Sequence, residues 1–387
     1  MTLRPRVLKI VSVPLTFETI LNGQMRFLNQ NGYEVFMASA ASDNIDALVN
    51  REDCPHYSIN IRRKIHLFYD FLAYVQTVKL IQKLRPDVVH TQTPKAGLIG
   101  MLAAWLLGVP MRFHTVGGLP LLEKPPLFRW LLVQTERLTY AFATHVFVNS
   151  FELNTFIQTN IYGINAKFMV IGVGSTNGID SSYFCRSTEL EIKAKTIRAE
   201  FGFADSDFVW IYIGRITRDK GIDDLVQAYI SLNTNQPNTK LLIVGGFDAE
   251  SDPVLPQTAQ AIKSHPNIKH VDFQADVRPF LLLADAFVFP SYREGLPNAL
   301  MEAACMELPI LATDVMGCRE VVQHQVNGLL VSSKNPQLLA QTMRHLQSDP
   351  ALRRRLSLLA RTSVCAKYER KRLWLAILKA YRDAINC

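Results

Sequence analysis

The chain has 387 residues, 48% of them apolar and 20% charged, with a net charge of +8 at pH 7; that length exceeds one ordinary core and suits two domains, each able to bury most of its apolar surface. The longest apolar run, LIGMLAAWLLG at 98–108, falls short of the ~18–20 residues of a membrane span and reads as a buried helix. The surplus charge gathers at Arg62, Arg63 and Lys64, at Arg353, Arg354 and Arg355, and at Arg370, Lys371 and Arg372, which suits an anionic partner; with no zinc finger or aromatic RNA-binding signature, pyrophosphate or anionic lipid is expected rather than nucleic acid.

The first residues, MTLRPRVLKIVSVPLTF, have the basic-then-apolar profile of a signal peptide, but Pro14 and Glu18 interrupt it and no small-residue cleavage site follows. A first β-strand is the better reading. Strands are predicted at 7–13, 33–39, 87–90, 111–115, 145–150 and 167–172. Helix-length segments lie between them, such as 19–31, closed by Gly32, and 127–143. That alternation predicts a parallel sheet with helices on both faces. A polar, turn-rich stretch at 175–187 then suggests a hinge. A second βα series follows, with strands at 208–214, 241–246, 268–273, 286–290 and 309–313, and the chain closes on helices at 351–367 and 369–384. The expected fold is therefore α/β with two doubly wound domains. The six cysteines show no CxxC or metal-ligand spacing and read as free thiols of a reducing cytoplasm.

Two strand-to-helix junctions carry the chemistry. In the first, FPSYREGLPNALME at 289–302, Glu294 lies in a loop at a strand's carboxyl end and Glu302 about a turn into the next helix, with Asn298 placed to cap that helix. Crevices beyond the carboxyl ends of parallel strands are where open α/β sheets bind ligands, and helix N-termini supply free N–H groups there for phosphate. In the second, GRITRDKG at 214–221, Arg215 and Lys220 follow another apolar strand. Two cations, a row of amides and two carboxylates suit a diphosphate and a sugar. The plainer alternative pairs both cations with Asp219, Asp223 or Asp224 on the surface.

Together, EGLPNALME and GRITRDKG resemble the donor site of the family-4 retaining glycosyltransferases, and the likeness covers nearly the whole chain. The resemblance implies the GT-B fold, two facing Rossmann-like domains with an interdomain cleft. The domains would span 1–182, an acceptor-binding half; 183–367, a nucleotide-sugar half; and 368–387, a last helix crossing back onto the first half. By the same resemblance Glu294, His114, Arg215 and Lys220 are the catalytic set. Glu302 would bind the ribose diol, Gly295 would let backbone approach the ligand, and Leu296, Asn298 and Ala299 would supply amides. Val277 is the candidate at the base, and Gly117 and Gly118 shape the loop after His114. From its residue context alone, an isolated histidine such as His114 reads equally as a packed, hydrogen-bonded side chain. The runs HTQTPKAGLIGMLAAWLLGVP and GSTNGID look like the bacterial branch that builds capsule, O-antigen or related surface glycans. The implied reaction moves a hexose or N-acetylhexosamine from a nucleotide diphosphate sugar, a UDP-sugar by preference, to a polyprenyl-diphosphate-linked saccharide. No cofactor is implied beyond the nucleotide sugar as co-substrate.

The chain departs from that family in one loop: where many members have adjacent glycines after the first strand, it reads PLTFETILNG, so acceptor contacts at 14–19 are left open. No metal is expected. Asp205 and Asp207 match a metal-binding DxD by letters but precede a strand in a turn. The segment 62–85, basic and aromatic, reads either as a helix lying on an anionic membrane surface or as one packed on the sheet, and PPLFRW at 125–130 offers a second apolar tip. The expected location is cytoplasmic, with peripheral attachment to the inner face of the plasma membrane as the further possibility. Two other functions compete with this reading. A non-catalytic GT-B subunit that recruits an active glycosyltransferase to the membrane would be expected to lack Glu294, Arg215 or Lys220. A nucleotide-sugar epimerase would need a GxGxxG loop and a YxxxK pair, and neither is present.

Overall fold

The computed structural model describes residues 4–62, 66–119, 125–233, 238–248 and 252–386; Arg63 and Lys64, named above, and Cys387, the last of the six cysteines, lie outside the described residues. Two compact units divide the chain, one of Met1–Gly178 with Arg370–Cys387 and one of Ile179–Glu369.

The first unit runs β1 (Arg6–Ile10), α1 (Gln24–Gln30), β2 (Glu34–Ser39), α2 (Ile45–Glu52), β3 (His56–Ser58), α3 (Leu67–Leu84), β4 (Val88–Gln92), α4 (Pro94–Leu106), β5 (Met111–Val116), α5 (Pro126–Phe142), β6 (His145–Val148), α6 (Phe151–Ile157) and β7 (Phe168–Met169). Its seven parallel strands lie in the order β3-β2-β1-β4-β5-β6-β7. The second unit runs α7 (Thr188–Glu200), β8 (Phe208–Ile213), α8 (Ile222–Asn233), β9 (Thr239–Val244), α9 (Pro256–Ser264), β10 (Ile268–Val271), α10 (Arg278–Leu283), β11 (Ala286–Phe289), α11 (Asn298–Cys305), β12 (Ile310–Thr313), α12 (Cys318–Val321), β13 (Leu329–Val331), α13 (Pro336–Ser348) and α14 (Pro350–Tyr368). Its six strands lie in the order β10-β9-β8-β11-β12-β13. Winding reverses at β1/β4 in one unit and at β8/β11 in the other, and such reversal points leave a crevice at the strands' carboxyl ends.

The final helix, α15 (Arg370–Asn386), belongs to the first unit. Its spacing puts Leu373, Ile377, Leu378, Tyr381 and Ala384 on one stripe, and all five join the core formed by Val7, Phe17, Met25, Val35 and Phe113. Polar contacts fix its register. The Trp374 indole donates to Asn177 Oδ1 at 2.6 Å, and the Tyr381 hydroxyl meets Nδ1 of buried His90. Helix starts follow their caps elsewhere: Ser150, Ser187, Asn335 and Asp349 each accept from the backbone N–H three residues on.

The single helix predicted at 19–31 is divided. A π-helical turn at Thr16–Ile20 precedes α1, and Gly23, in a left-handed conformation, starts the second piece. Its N–H donates to Glu52 Oε1 at 2.9 Å, so a fully buried carboxylate from α2 caps α1 in place of a local side chain. β3 and β13, three residues each, were not anticipated. Among the described residues, no helix is long and apolar enough to cross a membrane.

Candidate active site

β8 and β11 lie side by side at the second unit's reversal point, with Ala286 opposite Trp210 and Phe287 opposite Ile211. The loops that leave them are stitched together by backbone and charge. The Asp219 carbonyl accepts from the Tyr292 N–H at 2.9 Å and from the Ser291 hydroxyl at 3.3 Å. Gly221 sits at φ +70, and a side chain there would run into the Pro290 carbonyl; only glycine allows both.

On this frame, neighbouring residues of one loop pair with neighbouring residues of the other. Asp219 meets Arg293 at 2.7 Å and Lys220 meets Glu294 at 2.5 Å. Burial pulls the Asp219 carboxyl up, but the Thr217 hydroxyl and the charges of Arg293, Lys220 and Arg215 outweigh it and hold the group below its ordinary value. Lys220 and Glu294 are 18% and 11% exposed, so their attraction is only partly screened by water. Arg215 reaches Asp248, beyond β9, at 2.9 Å and stays 45% exposed. The surface pairing considered from sequence is thereby corrected: neither cation takes Asp219, Asp223 or Asp224 as its salt-bridge partner. The Tyr212 phenol, wholly buried, donates to the Arg215 carbonyl at 2.9 Å. Burial drives it well above its ordinary value, Glu294 and Asp219 add to the rise, and Arg215 opposes it. Arg215, Lys220 and Glu294 thus act on one locus.

The helix after β11 begins on its expected cap residue, one position earlier than that cap would place it. Pro297 occupies the N-cap position without a side-chain hydrogen bond, and Asn298 is the first residue of α11. The first N–H groups of α11, on Asn298 and Ala299, have no intrahelical acceptor. Leu296 and Gly295 are buried, while Asn298, Ala299 and Glu302 are half-buried. The close backbone approach at Gly295 is made by Gly317, at φ +80, whose missing side chain would strike the Gly295 carbonyl. Val277 precedes α10 as its N-cap residue. Burial raises the Tyr183 phenol, and Asp276 and Glu302 both add to it, so Glu302 and the segment carrying Val277 bear on the same neighbourhood.

In the first unit His114 lies within β5, two residues short of its end, and is 2% exposed. Its Nδ1 is 2.8 Å from Thr91 Oγ1. A side chain on Gly97 of α4 would collide with the imidazole, so the ring fills a notch that the helix leaves for it. Burial, with a smaller contribution from Lys9, lowers His114 to about 3, and the ring is neutral. Gly117 and Gly118 follow β5, the first exposed and its carbonyl accepting from Asn149 Nδ2 at 3.0 Å. At the β1/β4 reversal, Ser12 Oγ and Thr93 Oγ1 lie 2.6 Å apart. Thr93 holds φ +77 and ψ 145, a conformation costing a non-glycine residue about 1–3 kcal/mol and concentrated at functional sites.

Asp207 serves a turn: its carboxylate accepts from the Ala204 N–H at 2.8 Å and lies 3.7 Å from Lys240. Among the described residues, no group of three or more His, Cys, Asp or Glu side chains is arranged to hold a metal ion. Asp219 and Arg293 as a pair, and Tyr212, Asp248 and Gly317 as site residues, escaped the sequence reading. The signal for the first two was present in the reciprocal order of charge, Asp219-Lys220 in one loop and Arg293-Glu294 in the other.

Two protein-family models match the chain: a glycosyl transferase 4-like domain over residues 18–174 and glycosyl transferases group 1 over residues 193–362. The chain belongs to the family-4 glycosyltransferases. This glycosyltransferase is 29% identical over 376 residues, 97% of its own chain and 95% of the relative, to the capsular polysaccharide biosynthesis glycosyltransferase CapM of Staphylococcus aureus. It is 27% identical over 278 residues, 70% of its own chain and 68% of the relative, to the UDP-Gal:alpha-D-GlcNAc-diphosphoundecaprenol alpha-1,3-galactosyltransferase of Escherichia coli. The crystal structure of Anabaena HepE in complex with UDP-glucose superposes with a TM-score of 0.82 at 21% identity, covering 98% of this chain and 99% of that one. The glycosyltransferase therefore has the GT-B architecture of paired Rossmann-like units.

Proposed function

We propose that this glycosyltransferase moves a hexose or N-acetylhexosamine from a UDP-sugar to a polyprenyl-diphosphate-linked saccharide during surface-polysaccharide synthesis, with retention of configuration and without a metal ion. The observation that carries the reading is the Lys220–Glu294 contact at the β8/β11 reversal with Arg215 beside it. The leaving diphosphate gains charge as the glycosidic bond breaks, and fixed cations in a partly dry site stabilise that charge most. Arg215 supplies a planar fork for phosphate oxygens and Lys220 a compact ammonium. The α11 N–H groups extend the cradle, Glu302 takes the ribose diol, and Glu294 sits toward the transferred sugar. Neutral His114, its Nδ1 taken up by the Thr91 hydroxyl, turns Nε2 to a sugar hydroxyl. Retention follows attack from the face the diphosphate leaves, the course that the family resemblance implies.

The names of the Escherichia coli relative and of the HepE complex support a UDP-sugar and a lipid-linked acceptor. We place the acceptor at the β1/β4 reversal, by Ser12 and Thr93. Membrane contact is supported by exposed apolar side chains at the amino-terminal ends of α3 and α5, where Leu67 and Leu127 are 85% and 80% exposed beside Phe68, Phe71 and Trp130. The test is incubation with a panel of UDP-sugars and a polyprenyl-diphosphate saccharide, reading released UDP, the product's anomeric configuration by NMR, and activity in excess chelator. Nucleotide binding without UDP release would instead indicate a recruiting subunit. No binding to anionic vesicles at low salt would refute the membrane contact.

A further inference from the structure

α11 ends on Cys305, and its sulfur lies 3.7 Å from that of Cys365 on α14. Cys305 is buried and Cys365 half-buried. One turn ahead of Cys365 on the same helix face, the Arg361 guanidinium donates to the Cys305 carbonyl, one of the last-turn carbonyls that a helix cannot satisfy internally. Arg361 also donates to the Phe184 carbonyl at 3.1 Å and lies 3.7 Å from Glu307. α14 therefore holds the carboxyl end of α11 by a guanidinium and a thiol pair one turn apart. Glu302 stands one turn before Cys305 on that eight-residue helix, too short to bend between them.

We propose that Cys305 and Cys365 form a reversible disulfide when a peroxide is present, and that closing it weakens nucleotide binding by drawing α11 toward α14. Burial, and then Cys365 itself, push the Cys305 thiol up, so Cys365, the more accessible of the two, meets the oxidant and Cys305 resolves it. The Cys365 thiolate attacks a peroxide oxygen: an S–O bond forms, the O–O bond breaks, and the leaving hydroxide takes up the thiol's proton as water. Cys305 sulfur then attacks Cys365 sulfur; the S–S bond forms as the S–O bond breaks, and the departing hydroxide carries the Cys305 proton away as a second water. Two thiols are oxidised and one hydrogen peroxide is reduced to two waters. The sulfurs must close from 3.7 Å to about 2.05 Å. Cys305 is enclosed on all sides, so side-chain rotation absorbs only part of that movement and the helix takes the rest.

The effect on nucleotide binding rests on the donor-site reading above; the pairing itself does not. The experiment treats the protein with graded hydrogen peroxide, maps peptides under non-reducing conditions, and titrates UDP before and after, with Cys305→Ser and Cys365→Ser alongside. The expected result is a linked Cys305–Cys365 peptide and a UDP Kd raised at least about fivefold, restored by dithiothreitol, while both serine variants bind UDP like reduced protein and ignore peroxide. No linked peptide, or a linked peptide with unchanged UDP affinity, would overturn the proposal. Absence of UDP binding to the reduced protein would remove the donor-site reading and the regulatory half together, whereas the peptide map alone decides the pairing.

Discussion

Removing Lys220 separates the two tasks that this side chain combines, balancing Glu294 and holding diphosphate. The Lys220–Glu294 pair is 2.5 Å long with 18% and 11% of the side chains exposed. At an effective dielectric of about 20 its gross attraction is on the order of 7 kcal/mol, and desolvating both charges cancels most of that. Lys220→Ala leaves Glu294 partly buried without its partner and is expected to lower folding stability by about 2–3 kcal/mol, below the 3–5 kcal/mol of fully buried pairs because residual water screens it. Lys220→Ala with Glu294→Ala removes both charges and should recover at least about 1 kcal/mol of that loss, a coupling readable from a urea-denaturation cycle. Turnover should not recover: each single variant and the double variant should lose roughly 10²–10³ in kcat. A double variant whose destabilisation equals the sum of the singles would show that the contact carries no energy. Near-normal transfer by Lys220→Ala would remove the diphosphate role.

Tyr381→Ala should destabilise the first unit by about 3–5 kcal/mol, the cost of emptying a fully buried aromatic site, and should raise the exchange rate of amides in α1 and β4, checked by hydrogen-exchange mass spectrometry; a loss confined to α15 would contradict the shared core. Lowering the pH should destabilise that unit through His114. The unfolded chain takes up the imidazole proton below its ordinary 6.5, but the folded chain does so only near 3, so stability falls as pH falls through that window. Glu136, raised to about 7 by burial, acts with the opposite sign above pH 4.5. The measurable quantity is therefore the difference between wild type and His114→Gln, whose stability should fall less steeply by about 1.4 kcal/mol per pH unit; parallel curves would show that His114 titrates normally.

Most of the strands and both motif loops could be anticipated because doubly wound sheets bury their strands on both faces and leave long apolar runs, as in FVWIYI of β8. β3 and β13 were missed for the same reason. HYS and LLV are three-residue edge strands, too short for any period to register. The division of the helix predicted at 19–31 was hidden because its cap, Glu52, comes from another element. At the site, residue types at the strand ends showed which loops mattered, but partners set by packing did not show. Asp248 reaches Arg215 from the loop after β9, and Gly317 approaches Gly295 from the turn before α12; neither is near its partner in sequence. His114 was picked out by resemblance, and only the structure reveals the notch at Gly97 that holds it.

Calorimetric titration of UDP into the wild-type protein, Arg215→Ala, Lys220→Ala and the double variant tests the central claim most directly, because it reads the diphosphate cradle without requiring the acceptor. The expected result is saturable binding to wild type, weakened at least about tenfold by either substitution, since a charge-assisted phosphate contact contributes about 1.5–3 kcal/mol, and lost in the double variant. Equal UDP affinity in all four proteins would place the nucleotide elsewhere and contradict the account.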